Sequence, residues 1–223
     1  MKNPRIRKNH QPSLVEQYVE RVLPRLGRIF DTPVKDEWIA MEGETGLYSP
    51  RLDIAIGPFA FTERYIALYD LMVGEHALFL NSLVEHHIKN VRCFDDPEYT
   101  TDLARINGKN INARCFLAIE IENKVSRKHL MGGAINASAL GRIGIALAYT
   151  PDKLKAFVKL RKYLEFLISV GKNSFDSTNL LILDKEPFSE CIDQEISRRQ
   201  IHALQVVAAD AGQQASGAAE LVR

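Results

Sequence analysis

Apolar positions recur along this chain with two different periods, and the period predicts the type of each element. From Leu14 to Leu23 they follow helical spacing, directly after a Ser13–Glu16 capping-box pattern. The same spacing predicts further helices over residues 62–90, 127–140 and 151–170, and from residue 193 onward.

Short apolar runs between turn signals predict the strands. The clearest is Arg51–Ile56, which ends at Gly57-Pro58 and places Asp53 on the face opposite Ile54 and Ile56. The remaining candidates cover residues 38–41, 112–122, 143–149 and 179–183. Because strands alternate with helices, we expect an α/β fold with a central mixed β-sheet flanked by helices.

The end of the 112–122 strand carries an unusual charge pattern. Glu120, Glu122 and Lys124 occupy alternate positions after a strongly apolar run, so in a strand they project from one face. Burying charges without compensation is costly, and a bound divalent cation is one form of compensation. The segment from Ala118 to Lys124 is therefore a candidate metal site.

The helix that follows this strand carries small residues at four-residue steps. Gly133, Ala137 and Gly141 form the stripe, which would let the helix approach a sheet closely. Farther along, Lys155, Lys159 and Lys162 line one side of the 151–170 helix. Such a stripe fits either contact with phosphates or a solvated face.

Length and composition fit an ordinary globular chain. The chain has 223 residues, of which 46% are hydrophobic and 26% charged, and it fits one domain over residues 13–207. Its net charge of +1 neither indicates nor excludes a nucleic-acid partner. We expect a flexible basic arm at 1–12 and a mobile tail at 208–223. No signal peptide, membrane span or disulfide framework is indicated, so we expect a cytoplasmic location.

Two segments together resemble the PD-(D/E)xK nuclease superfamily, which has the restriction-endonuclease-like fold. They are Pro50-Arg51-Leu52-Asp53-Ile54-Ala55 and Ala118-Ile119-Glu120-Ile121-Glu122-Asn123-Lys124, followed by a helix and a strand in the order of the family core. The resemblance covers roughly residues 50–150 and implies Mg²⁺ or Mn²⁺ held by Asp53, Glu120 and Glu122, with Lys124 assisting the attacking water. It implies a DNA endonuclease of restriction or repair type.

The second motif fits two registers. Either Glu122-Asn123-Lys124 is the E-x-K tripeptide, or Glu120-Ile121-Glu122 takes its place, which suits the apolar pattern better. The chain also departs from the family pattern, since Pro50 is not adjacent to Asp53 and a helical insertion at about 62–90 separates the two motifs. That insertion could supply the interface of a homodimer.

Several basic residues near the second motif could contact phosphates, namely Arg127, Lys128 and Arg142. Hard cations such as Mg²⁺ do not need histidine ligands. His76, His86, His87 and His129 are therefore interpreted as surface groups or as groups that lie behind the metal ligands. Two alternatives stay open. The fold could serve a non-catalytic nucleic-acid-binding or regulatory subunit, or the charged strand end could be a solvated edge of an interaction protein.

Overall fold

The computed structural model describes residues 11–40, 49–123, 127–172 and 176–220. These ranges contain five strands: β1 (Val34–Ile39), β2 (Arg51–Ile56), β3 (Cys115–Glu122), β4 (Gly141–Ala148) and β5 (Leu180–Asp184). They also contain seven helices: α1 (Leu14–Leu26), α2 (Ile66–Glu75), α3 (Ala77–Phe94), α4 (Leu103–Asn107), α5 (Arg127–Leu140), α6 (Pro151–Ser169) and α7 (Lys185–Glu220).

The five strands form one mixed sheet in the order β1-β2-β3-β4-β5. The β1–β2 and β2–β3 pairs are antiparallel, whereas the β3–β4 and β4–β5 pairs are parallel. Parallel neighbours need a crossover, and α5 and α6 supply the two crossovers. The expected α/β fold with a central mixed sheet and flanking helices is confirmed.

Two apolar clusters form the core. One contains Ile54, Ile119 and Ile145 of the sheet together with buried residues of α1, α2, α3, α4 and α7. The other contains Ala55, Ala118 and Ala146 with buried residues of α5 and α6. Since successive strand residues point to opposite faces, the two clusters place the helices on both faces of the sheet. Every residue of β4 is buried, which is typical of a central parallel strand covered on both faces.

Local sequence explains the start of α1. The Ser13 hydroxyl accepts a hydrogen bond from the Glu16 amide at 3.2 Å, and the Glu16 carboxylate accepts one from the Ser13 amide at 2.6 Å. This reciprocal capping box satisfies two of the amides that a helix leaves without partners in its first turn.

Small residues set the approach of α5 to the sheet. A Cβ atom added to Gly144 of β4 would lie only 2.7 Å from the backbone carbonyl of Ala137 in α5, so the helix backbone rests directly on the strand. Gly133 faces the side chain of Glu120. The third member of the expected stripe, Gly141, is instead the first residue of β4, where it contacts Ala118.

Some element bounds differ from the expected ones. The last helix begins at Lys185 rather than at residue 193, and its backbone continues without a break to Glu220. The first strand covers 34–39 rather than 38–41. The expected basic arm lies almost wholly outside the described residues. None of the helices in the described ranges is both long enough and apolar enough to span a bilayer.

Candidate metal and acid site at the end of β2 and β3

Asp53 lies where β2 and β3 stop pairing. The ladder joins Ile54 to Ile119 and ends there, and one further step in the same register would set Asp53 opposite Glu120. The Asp53 carboxylate takes the place of a backbone acceptor, because its Oδ2 accepts a hydrogen bond from the Ile121 amide at 2.6 Å. This bond satisfies the strand amide and fixes one oxygen of the carboxylate.

Glu120 points from β3 onto α5. Its Oε1 accepts a long hydrogen bond of 3.4 Å from the Asn136 side-chain amide. A Cβ built on Gly133 would lie 3.6 Å from Glu120 Oε2, an ordinary contact distance, so the carboxylate faces this position of α5. Sheet alternation and the small residue of α5 together place this acid half-buried between the two layers.

A third acid, Glu37, lies on the other side of Asp53. The β1–β2 ladder pairs Asp36 with Ile54 and Trp38 with Leu52 but skips Glu37, whose φ of 46° is in the left-handed region. Such a conformation is unfavourable for a residue with a side chain by roughly 1–2 kcal/mol. The Glu37 carboxylate forms an exposed ion pair with Arg51 at 2.8 Å.

The electrostatics of the two central acids are strongly perturbed. Burial raises the pKa of Glu120 from its ordinary 4.5 to about 9, and the nearby Asp53 carboxylate contributes in the same direction. Burial also raises the pKa of Asp53 from 3.8 to about 6, although the hydrogen bond from the Ile121 amide lowers this pKa. Burial thus disfavours the charged form of both acids, and Glu120 keeps its proton at neutral pH. Acids perturbed in this way are typical of a functional site.

Both acids open into a cleft of about 520 Å³ at the end of the sheet. Its walls come from the starts of α1 and β2, from Glu37 of β1, from the end of β3, from α5, and from Phe157 of α6. The lining includes Glu16, Glu37, Arg51, Asp53, Glu120, Glu122, Lys128, His129, Gly132, Gly133 and Asn136. A second recess against α1 shares Glu16, Glu37, Arg51 and Asp53.

The structure brings three of the expected site residues together. Asp53, Glu120 and Glu122 all line the cleft, and each is half-buried. Lys124 lies outside the described residues, so its expected role stays a prediction. Buried Ile121 between the two glutamates agrees with the register in which Glu120-Ile121-Glu122 forms the motif.

The three expected phosphate-contacting residues have different positions. Lys128 is exposed and lines the cleft, and the side chain of Arg127 lies outside the described part. Arg142 is only 2% exposed, and its guanidinium donates to Asp70, Asn107 and the Asn110 carbonyl. We therefore correct its assignment: Arg142 lies at the start of β4, four residues and roughly 13 Å from the partner of Glu120, with its donors engaged by protein.

Two histidines are also corrected. His87 is buried, accepts a hydrogen bond from the Ile182 amide at 3.0 Å and contacts the Tyr99 hydroxyl. Burial lowers the pKa of His87 to about 3. His76 is 2% exposed and packs against Phe30. Both are core groups rather than surface ones, whereas His129 is exposed at the cleft.

Sequence reasoning missed two cleft residues, Glu37 and Asn136. Glu37 could have been found from the pairing of β1 with β2. Because Asp36 pairs with Ile54 and Trp38 pairs with Leu52, Glu37 falls opposite Asp53. The signal for Asn136 is its spacing of three residues from Gly133, which sets both on one face of α5.

Neither a cluster of three ligand side chains in the described part of the chain nor comparison with known proteins identifies this site. Among the described residues, no three His, Cys, Asp or Glu side chains come close enough together to hold a metal ion by themselves. No protein-family model, curated protein or solved structure matches the chain.

Proposed function

We propose that this protein is a divalent-metal-dependent nuclease, a DNA endonuclease that uses Mg²⁺ or Mn²⁺. One observation carries the proposal: Asp53 and Glu120 reach the same cleft from adjacent antiparallel strands, at the point where the ladder between them stops. The order of elements around them agrees with the family resemblance of the two motifs.

The donor set fits a hard cation. Mg²⁺ is usually bound by one or two carboxylates and keeps several waters, so it does not require three protein ligands. Asp53 engages Oδ2 with the Ile121 amide, which leaves Oδ1 for a ligand role, and Glu120 would be the second ligand with Glu122 beside it. A cation here would also offset the cost of charging two buried carboxylates.

When bound, the ion would polarise the phosphoryl oxygen and lower the pKa of an attacking water. The chain's own groups position the acids. The Ile121 amide orients Asp53, while Asn136 orients Glu120 against Gly133. Lys128 at the cleft supplies a positive charge that can contact a neighbouring phosphate.

The alternative is a non-catalytic nuclease-like fold that binds nucleic acid or regulates a partner. It is favoured by the E-x-E motif, whose third position carries an acid rather than a lysine. Metal binding and cleavage distinguish the two functions, because the alternative requires neither.

Cleavage of supercoiled plasmid DNA in Mg²⁺ or Mn²⁺ tests the proposal. We expect nicked and linear products from the wild type and at least 100-fold slower cutting by Asp53→Asn and Glu120→Gln. Glu98→Gln makes the same chemical change at an exposed residue and should cut like the wild type. Equal cutting by all four proteins would refute the site.

Thermal unfolding tests metal binding separately. A ligand that binds only the folded state raises the melting temperature, so Mn²⁺ should stabilise the wild type but not Asp53→Ala. Stabilisation without cutting would favour the non-catalytic alternative. Unchanged melting of both proteins would argue against any metal site.

A further inference from the structure

A second groove lies beside the acid cleft, between α5 and α6. Its volume is about 670 Å³, and its lining includes Leu130, Asp152, Lys155, Lys159, Leu160 and Tyr163. The acid cleft uses the same two helices, since it includes Lys128 and Gly133 of α5 and Phe157 of α6. The groove and the cleft are therefore neighbours that share the N-terminal half of α5.

The groove has a basic rim. Lys155 and Lys159 are exposed and lie one helical turn apart, about 6 Å along the axis of α6. No acid in the described residues forms an ion pair with either of them. Lys162, the third lysine of the predicted stripe, is instead bound to Asp95 at 2.6 Å. Two of the three stripe lysines are thus available to an anionic partner.

The floor of the groove is apolar and its far end is aromatic. Leu130 and Leu160 are buried beneath it, and the ring of Tyr163 is 47% exposed on the same stripe of α6 as Lys155 and Lys159. Positive charge that follows a backbone, combined with an exposed ring on which a base can stack, is the arrangement that binds single-stranded nucleic acid. Duplex DNA would present only phosphates to this groove and leave its apolar floor uncovered.

We propose that the α5–α6 groove binds a single strand of DNA, with its phosphates on Lys155 and Lys159 and a base on Tyr163. The strand continues over α5 past Lys128 into the acid cleft. The identity of this strand as substrate rests on the proposed nuclease function, whereas binding in the groove does not require cleavage.

Binding is measured by fluorescence anisotropy of a fluorescein-labelled 20-nucleotide DNA strand in EDTA, which keeps cleavage out of the measurement. The wild type should bind it. Lys155→Gln/Lys159→Gln should bind at least tenfold more weakly. Its plot of log affinity against log salt should be shallower by about 1.4, because each single-strand phosphate contact contributes about 0.7.

Stacking is tested on the ring itself. Tyr163→Ala should weaken binding at least fivefold with an unchanged salt slope, and Tyr163→Phe should keep wild-type affinity. Arg64→Gln/Lys89→Gln removes two exposed charges elsewhere and serves as the charge-matched control. Circular dichroism melting confirms that each variant is folded.

Any of three results would refute the proposal that the groove binds a DNA strand. These results are an absence of binding by the wild type, equal binding by the lysine variant and its control, and an unaltered salt slope in the lysine variant. Preferential binding of phosphatidylserine vesicles over the DNA strand would also overturn it, because a basic helix with exposed Phe166 and Val170 can lie on a membrane.

The two proposals fail separately. If Lys155→Gln/Lys159→Gln binds the DNA strand with wild-type affinity while Glu120→Gln loses cleavage, the proposal for the groove is rejected and the proposed nuclease function stands. Binding that depends on the groove without any cutting by the wild type would reject the nuclease and keep the groove.

Discussion

At the scale of single residues, Glu120 couples the stability of the fold to pH. Its carboxyl is held between β3 and α5, where burial and the neighbouring Asp53 disfavour the charged form. The folded protein consequently keeps this proton over a pH range in which the unfolded chain has released it. That difference in bound protons makes stability fall as pH rises.

Glu120→Gln should isolate this effect. Below pH 4.5 the carboxyl is protonated in both states, so the variant and the wild type should be similarly stable. Asp53, whose raised pKa acts in the same direction, is present in both proteins. Between pH 4.5 and about 9 the wild type should therefore lose more stability than the variant in EDTA, until the variant is more stable by about 2 kcal/mol or more. Urea unfolding at pH 5 and pH 8 measures the difference, and a gap that does not widen would contradict the prediction.

Mn²⁺ should reverse the order at pH 8, because a bound cation favours the charged carboxylate that Gln lacks. Asp193→Asn is a suitable control, since Asp193 lies on exposed surface at the opposite helical layer. Its stability should not respond to Mn²⁺ differently from the wild type.

Single residues also show what a sequence can and cannot predict. Strand alternation was enough to put Asp53 and Glu120 each on the less apolar face of its own strand, because that pattern depends only on neighbours in the chain. That the two strands are adjacent is shown by the fold. Arg142 and His87 could not be placed in this way. Arg142 is buried against Asp70 and His87 against Tyr99, and both partners come from other parts of the chain. The local sequence pattern around Arg142 and His87 does not indicate these partners.

At the scale of elements, the contact of α5 with β3 and β4 determines how deep the cleft is. Gly144 and Ala137 allow backbone to meet backbone, and Gly133 and Asn136 of the same helix face Glu120. A larger separation between helix and sheet would move Asn136 and Gly133 away from the carboxylate. The packing of small residues and the geometry of the acids are therefore linked.

Three glycine substitutions should separate packing from helix propensity. Gly144→Ala should destabilise the fold by roughly 1–3 kcal/mol or more, because its Cβ would overlap the Ala137 backbone at 2.7 Å. Gly132→Ala has nothing within 4 Å of the new Cβ and should stabilise α5 by about 0.5–1 kcal/mol. Gly133→Ala makes only ordinary contacts and should be tolerated. Urea unfolding ranks them, and a neutral Gly144→Ala would contradict the close approach.

The predicted elements were most accurate where one strong local signal dominated. The bounds of β2 follow from alternation and Gly57-Pro58, and those of α5 agree with its periodicity. The start of α7 was predicted eight residues late, because Lys185 and Glu186 carry no apolar periodicity, and the helix start is held instead by contacts with α1.

At the scale of the whole molecule, α7 joins the C-terminal part of the chain to the first helix. Tyr18 donates to the Lys185 carbonyl at 2.9 Å, and Arg25 donates to the Ser189 carbonyl at 2.8 Å. Farther along, Arg199 contacts His76 at 2.8 Å. The helix is thereby fixed to α1 and to the α2–α3 junction over its first four turns, on the face opposite α5 and α6.

Beyond Arg199 the described side chains of α7 face solvent, with Ile201 57% and Leu204 71% exposed. Truncation after Gln205 should therefore change the free energy of unfolding by less than about 0.5 kcal/mol, because it retains every anchoring contact of α7 that the described side chains make. Ile192→Ala in the full-length chain should instead cost about 2–4 kcal/mol, since Ile192 is fully buried in the core.

Urea unfolding followed through Trp38 distinguishes these outcomes. Trp38 is the single tryptophan of the chain and stacks on Phe59 at 4.7 Å, so its fluorescence reports on the sheet edge beside the acids rather than on α7. If the chain unfolds as one unit, the Ile192→Ala defect should appear at this distant probe. A truncated chain less stable by more than 1 kcal/mol would mean that residues 206–223 contribute contacts to the fold, and an Ile192→Ala defect invisible at Trp38 would mean that the two faces of the sheet unfold separately.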